Sequence, residues 1–140
     1  MAGYGEWRCR VPLRVRFGET DAVGVANNAV YLSWFEVGRI EYLRSTGHDY
    51  AKVHAGGIDL VVVEASVRYL RPLRFDDEID LHCWCSRLRR ASVEFSYELW
   101  SRDVLCAAGS TLHACVDRSR MAPVRLPGWL VEILPADARG

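Results

Sequence analysis

The stretch Arg16-Phe17-Gly18-Glu19-Thr20-Asp21-Ala22-Val23-Gly24-Val25-Ala26-Asn27-Asn28 places the carboxylate Asp21 in a polar, glycine-bearing segment that ends on an asparagine pair. The apolar run Ala29-Val30-Tyr31-Leu32-Ser33-Trp34-Phe35-Glu36 follows directly. A carboxylate can act as a nucleophile or as a general base. The first turn of a helix carries N–H groups with no intrahelical acceptor, and these can hold a developing oxyanion. A carboxylate on a loop that leads into a helix N-terminus is therefore one way to build a small acyl-transfer site. The bland alternative uses the same residues: Asp ties down loops through its own backbone, and Asn caps helices.

The elements that would position these groups follow from periodicity. Arg8–Phe17 alternates, with Val11, Leu13, Val15 and Phe17 on one face, which predicts a half-buried strand. Pro12 places that strand near a sheet edge. Tyr31, Trp34, Phe35, Gly38 and Tyr42 recur at steps of three and four, one bulky stripe of a helix. A helix from about Asn28 to Thr46, stopped at Gly47, would be roughly 28 Å long. Asp49–Gly57 is irregular. Four strands are then predicted at Ile58–Leu70, Glu78–Leu88, Ser92–Arg102 and Asp103–Asp117, followed by a short apolar tail at Trp129–Leu134. Ile79, Leu81, Cys83 and Cys85 share one inward face; Val93, Phe95, Tyr97 and Leu99 share another. Short connections imply antiparallel neighbours, so one long helix lies on a mostly antiparallel sheet, an α+β arrangement.

Composition narrows the classes. The chain has 140 residues, half of them hydrophobic, so one domain can build a core without metals or disulfides. Eighteen basic and 18 acidic residues cancel. A general nucleic-acid or membrane-surface binder needs a basic excess that is missing here. Every basic residue except Lys52 is arginine, which suits phosphate recognition as well as a biased composition. The five cysteines, Cys9, Cys83, Cys85, Cys106 and Cys115, form no Cys-x-x-Cys, and the four histidines, His48, His54, His82 and His113, have no ligand-like spacing. No metal site is expected, and the cysteines read as reduced, buried thiols of a cytoplasmic protein. No segment reads as a signal peptide, and no apolar run approaches the roughly 20 residues that span a bilayer.

Strand, acidic loop, long helix and a run of strands together resemble the hotdog fold. The loop–helix motif resembles the thioesterase family typified by 4-hydroxybenzoyl-CoA thioesterase. The resemblance rests on Arg16-Phe17-x-Glu19-Thr20-Asp21-x-x-Gly24-x-x-Asn27-Asn28-x-x-Tyr31-Leu32-x-Trp34-Phe35-Glu36-x-x-Arg39. Weaker matches are Val67-x-Tyr69-x-x-Pro72-Leu73 with Asp76-Asp77-Glu78, and Arg90-Ala91-Ser92-Val93. It covers about Arg10 to Val116 and implies a single hotdog domain over residues 1–140, with an antiparallel five- to six-stranded sheet wrapped around one helix. It implies hydrolysis of an acyl-CoA thioester, with Asp21 as nucleophile or general base and the Asn28 N–H as oxyanion donor. Arg71, Arg87, Arg89, Arg90 and Ser92 are the candidates for holding CoA. The family places its active site between two subunits, and dimers commonly pair into homotetramers. No cofactor is implied. Two other readings share the fold: a thioesterase that unloads an acyl carrier protein, and a non-catalytic acyl-CoA-binding module. Many relatives carry His at the position of Val25 or Asn28; this chain does not, so Asp21 would work without a second acid–base group. Glu64, the nearest other carboxylate of interest, reads as structural.

Overall fold

The structure, a computed structural model, describes residues 9–47 and 50–133. His48 lies outside the described residues. The elements are β1 (Cys9–Arg14), a 3-10 turn (Phe17–Glu19), α1 (Val30–Ser45), α2 (Tyr50–Ala55), β2 (Ile58–Tyr69), β3 (Glu78–Leu88), β4 (Ser92–Ser101), β5 (Val104–Asp117), β6 (Ala122–Pro123) and α3 (Gly128–Ile133). The sheet has six strands in the order β1-β3-β4-β5-β2, with β6 beside the end of β5. All pairs are antiparallel.

The alternation read from the sequence sorts the strands as expected. Ile79, Leu81, Cys83 and Cys85 of β3 are buried, as are Val93, Phe95, Tyr97 and Leu99 of β4. They face α1, whose Tyr31, Trp34, Phe35, Gly38, Tyr42 and Leu43 are buried against them. Two glycines set how close the helix comes. A Cβ on Gly38 would stand 3.0 Å from Leu81 and 3.2 Å from the Cβ of Cys83. A Cβ on Gly109 of β5 would stand 2.4 Å from the Ser66 carbonyl and 2.6 Å from the Phe35 ring. The Phe35 ring lies there in parallel stack with Tyr97, their centroids 4.1 Å apart.

Several boundaries differ from expectation for local reasons. β1 stops at Arg14, and Phe17 turns outward into the 3-10 turn, three-quarters exposed, instead of joining the inward face. The turn is held by Arg16 and Glu19, which exchange backbone N–H bonds to each other's acceptors. The irregular stretch before Gly56 contains a short helix, α2, whose Val53 is fully buried. Its six residues are too few for a periodic signal. α1 begins at Val30, two residues after the expected start. It ends as expected: Gly47 has φ of 88° and its N–H bonds the Arg44 carbonyl, a left-handed stop that glycine adopts without strain.

Among the described residues, no helix is long and apolar enough to cross a membrane. The five cysteines are free thiols, and no cluster of His, Cys, Asp or Glu among the described residues could hold a metal ion.

Gly109→Ala tests the helix–sheet approach. The added methyl meets backbone on one side and a locked ring on the other, so it cannot be absorbed by a rotamer change. Overpacking of this kind costs about 1–3 kcal/mol or more. The urea midpoint is expected to fall by the equivalent of at least about 3 kcal/mol; an unchanged midpoint would show that α1 floats over the sheet.

Candidate active site

The Asp21 loop is built by backbone bonds. The Asp21 N–H donates to the Val25 carbonyl at 2.9 Å, and the Gly24 N–H returns to the Asp21 carbonyl at 2.9 Å. Gly24, with φ of 87°, supplies the left-handed residue this tight turn needs. The Asp21 carboxylate closes the loop on itself: Oδ1 accepts the N–H of Val23 at 2.9 Å and of Val25 at 3.4 Å. Among the described residues Oδ2 has no partner, and the side chain is exposed. The capping and catalytic readings of Asp21 are thus divided between its two oxygens.

Helix α1 is entered through the asparagine pair, and the two residues split the work. Asn27 is the cap: its Oδ1 accepts the Ala29 N–H at 2.9 Å and its carbonyl accepts the Val30 N–H at 3.0 Å. The Asn28 N–H has no acceptor among the described residues. That is the condition an oxyanion donor must meet before substrate arrives. The macrodipole of α1 adds positive potential at this end.

Three groups that sequence reasoning did not select hold this pair in place. Glu19 is nearly buried. Its Oε1 accepts the Arg16 N–H at 2.8 Å, its Oε2 accepts the Trp34 indole N–H at 3.2 Å and faces the Arg16 guanidinium at 3.2 Å. Its carbonyl accepts the Asn27 N–H at 2.8 Å, so it links loop, cap and helix. Burial pushes the Glu19 carboxyl up, but the bonds from Arg16 and Trp34 together outweigh it and hold the group below its usual range. Tyr69, at the end of β2, donates its hydroxyl to the Asn28 carbonyl at 2.9 Å and packs its ring edge-on against Tyr31. Leu73, fully buried, accepts the Ala26 N–H at 2.7 Å, and Val25 bridges Arg74, so the β2–β3 connection is zipped to the Asp21 loop. The Arg16-x-x-Glu19 spacing was the available signal for the first, since a carboxylate three residues on can reach back to a free N–H. Tyr69 and Leu73 lay in the weaker motif match, but nothing local assigned them a place at this loop.

The candidate CoA residues are not all in one place. Arg71 follows β2 beside the zipped connection, and its N–H bonds the Cys106 carbonyl at 3.0 Å. Arg87, at a bulge near the end of β3, and Arg89 and Arg90, in the β3–β4 turn, lie at the far end of the sheet with Ser92. Tyr69 stands opposite Ala107 and Ser92 opposite Ala114, seven residues of β5 apart, or about 23 Å. All four arginines are exposed. Glu64 is exposed on β2, away from Asp21, beside a bulge after Val62. His82 and His54 each sit beside an aspartate, Asp80 and Asp59, and His113 is buried.

A six-stranded antiparallel sheet around one main helix is the hotdog fold. The sequence profile of the thioesterase-like superfamily matches residues 15–134, and the chain belongs to that superfamily. It is 31% identical over 123 residues to the acyl-CoA thioester hydrolase YbgC of Escherichia coli O157:H7, covering 87% of this chain and 92% of the relative. Among solved structures, a hypothetical protein of Aquifex aeolicus superposes with a TM-score of 0.86 at 33% identity, over 91% of this chain and 99% of that one. A DHNA-CoA thioesterase of Staphylococcus aureus superposes with a TM-score of 0.84 at 26% identity, over 89% and 85% of the two chains. The chain is an enzyme of the thioester hydrolase class.

Because the Glu19 carboxyl is held below its ordinary value of 4.5 in the folded protein, its contribution to stability is complete above that value and is lost as pH falls through its lower folded value. In Glu19→Gln, the acid limb of the stability–pH curve should flatten below about pH 4.5, and stability at neutral pH should fall by about 1–3 kcal/mol. Chemical denaturation across pH 3 to 7 reads both; an unaltered acid limb would remove Glu19 from its role in holding the loop.

Proposed function

We propose that the protein hydrolyses an acyl-CoA thioester, with Asp21 as the reacting carboxylate and the Asn28 N–H as oxyanion donor. The observation that carries the reading is the pairing of an unpartnered carboxylate oxygen with an unpartnered helix-terminal N–H, both on a loop tied down by Glu19, Tyr69 and Leu73. Asp21 Oδ2 either attacks the thioester carbonyl carbon or removes a proton from a water that does. Direct attack forms a mixed anhydride as the C–S bond breaks and its electron pair leaves with the thiolate; water then opens the anhydride to free acid and restores the carboxylate. In either route the carbonyl oxygen becomes negative in the transition state, where the Asn28 N–H binds it more strongly than in the ground state.

A second copy of the chain completes the site in this reading. Among the described residues β2 is a 12-residue edge strand paired with β5 alone, and its Val62 and Val63 are about half exposed. A long apolar edge is a template for strand pairing. Antiparallel pairing of β2 with its own copy has two-fold symmetry and sets the beginning of one β2 against the end of the other. It carries Arg89, Arg90 and Ser92 of one copy toward Asp21 of the other, removing the separation of about 23 Å seen within one protomer. Paired guanidinium groups then stand where CoA phosphates can be held bidentately. Back-to-back association of two such dimers would give the homotetramer. The free thiols accord with a cytoplasmic enzyme.

Asp21→Asn keeps an oxygen for the Val23 and Val25 N–H groups, so the loop should stay folded. Its kcat on acyl-CoA is expected to fall by about 1,000-fold with an unchanged melting temperature. Unchanged turnover would sink the role of Asp21, and tight acyl-CoA binding by the wild type without any turnover would identify a binding module. The same acyl group presented on CoA and on a carrier protein, compared by kcat/KM, ranks the two substrates; CoA should be preferred. The double variant Val62→Lys/Val63→Lys should sediment as a monomer and lose hydrolysis together with its partner's arginines; a fully active monomer would place the whole site in one chain.

A further inference from the structure

A second cavity lies under the middle of α1, away from the Asp21 loop. It holds about 150 Å³ between α1, α2 and the strands β2, β4 and β5. Its apolar walls are Leu43, Leu60 and Phe95, and its polar ones are Glu36, Arg39, Tyr50 and His113. The volume is close to the roughly 150 Å³ that takes a benzene ring, enough for the end of a ligand and not for a long chain.

The hydrogen bonds of these polar groups run in one direction. His113 Nδ1 lies 3.3 Å from the Leu60 carbonyl, which can only accept, so Nδ1 carries the proton. His113 Nε2, 2.8 Å from the Thr111 hydroxyl, is then the acceptor, and Thr111 in turn accepts from the Tyr97 hydroxyl at 2.6 Å. Burial and then the positive charge of Arg39 lower His113 to about 4, so the ring is neutral at pH 7 and both its nitrogens are used. Burial raises the Tyr50 hydroxyl above its ordinary value, so it stays protonated and able to donate at neutral pH. The Arg39 guanidinium lies close enough to Tyr97 and His113 for its charge to act on both. Arg10, Arg14, Arg16, Arg44 and Arg120 all face carboxylates. Arg39 makes no ion pair with a described residue, although it is half-buried. The free polar capacity of the cavity wall is therefore donors on a cation, and a half-buried guanidinium is complemented best by a planar carboxylate. Glu36, exposed on the same wall, opposes such a ligand and tempers its binding.

The cavity and the Asn28 N–H lie along the same helix. α1 runs antiparallel to β2, from Tyr31 beside Tyr69 to Leu43 and Leu60 at the cavity. Leu32 of α1 and Val62 of β2, both more than two-fifths exposed, are apolar residues at intermediate positions on these two elements. Along the helix, Asn28 and Arg39 are about 16 Å apart.

We propose that the far end of the substrate's acyl group occupies the cavity and that Arg39 selects a carboxylate there, making ω-carboxyacyl-CoA the preferred substrate class. The inference rests on the thioesterase reading. Full-length protein is assayed with adipoyl-, suberoyl- and sebacoyl-CoA against hexanoyl-, octanoyl- and decanoyl-CoA. At least one carboxylated member is expected to exceed its methyl-terminated counterpart by about 10-fold or more in kcat/KM. Arg39→Met should bring that ratio to about one through the KM of the carboxylated member, Arg39→Lys should retain part of it, and Glu36→Gln should raise it. Equal kcat/KM for the two series in the wild type, or a ratio unmoved by Arg39→Met, overturns the inference while leaving thioester hydrolysis standing. Calorimetric titration of Asp21→Asn protein with free sebacate is the readout that does not need turnover. Binding that disappears when Arg39→Met is added supports the carboxylate site even if no thioester is cleaved, and absence of binding counts against it.

Discussion

The Phe35 ring lies flat on Gly109 and stacks on Tyr97, and the placement of the rest of the molecule follows from that contact. It sets the distance and the rotation of α1 on the sheet. One turn earlier, Tyr31 meets Tyr69 and so brings the helix N-terminus to the end of β2. One turn later Arg39 comes beside Tyr97, and two turns later Leu43 lines the same cavity as Leu60. The glycine is essential because its missing side chain is the space that the ring occupies. A hotdog sheet has a single helix to fill its concave face, so an error in this contact would move both the Asn28 N–H and the cavity.

The proposed catalytic arrangement is economical because each residue of the loop has a separable structural duty. Asn27 takes the cap, which frees the Asn28 N–H; Oδ1 of Asp21 takes the loop bonds, which frees Oδ2. Preorganisation is supplied from behind by Glu19, which contacts the loop backbone, the cap and the buried Trp34. A free donor and a free acceptor would be unfavourable in a core, where an unmade hydrogen bond costs about 1–3 kcal/mol. At an exposed loop beside an unpaired sheet edge, water satisfies both until substrate or a second subunit displaces it.

Much of this was legible in the residues themselves. The two-residue alternation of β3 and β4 named their buried faces, because a strand's side chains must alternate. The stripe from Tyr31 to Tyr42 named the buried face of α1. The stop at Gly47 was readable because a left-handed residue is needed there. The Asp21–Asn28 motif marked its own loop because its chemistry and its geometry are both local. α2 was not readable, since six residues carry less than two full helical periods. The outward turn of Phe17 was not readable either, because alternation continues on paper past the point where the Arg16–Glu19 bonds end the strand.

What the sequence determined by itself is therefore the local set: which faces are apolar, where the helix stops, and which carboxylate precedes which N–H. Only the tertiary structure decided which distant residues meet. Tyr69 and Leu73 reach the Asp21 loop because antiparallel pairing returns the end of β2 to the start of α1. Arg89, Arg90 and Ser92 fall at the opposite end of the same sheet, although they lie only about twenty residues beyond Tyr69 in the chain. Arg39, one helix residue among several arginines in sequence, becomes the half-buried cation of a cavity because the sheet closes around α1. Periodicity is a property of neighbours along the chain, whereas register and closure depend on contacts between segments far apart in it, and those no single segment encodes.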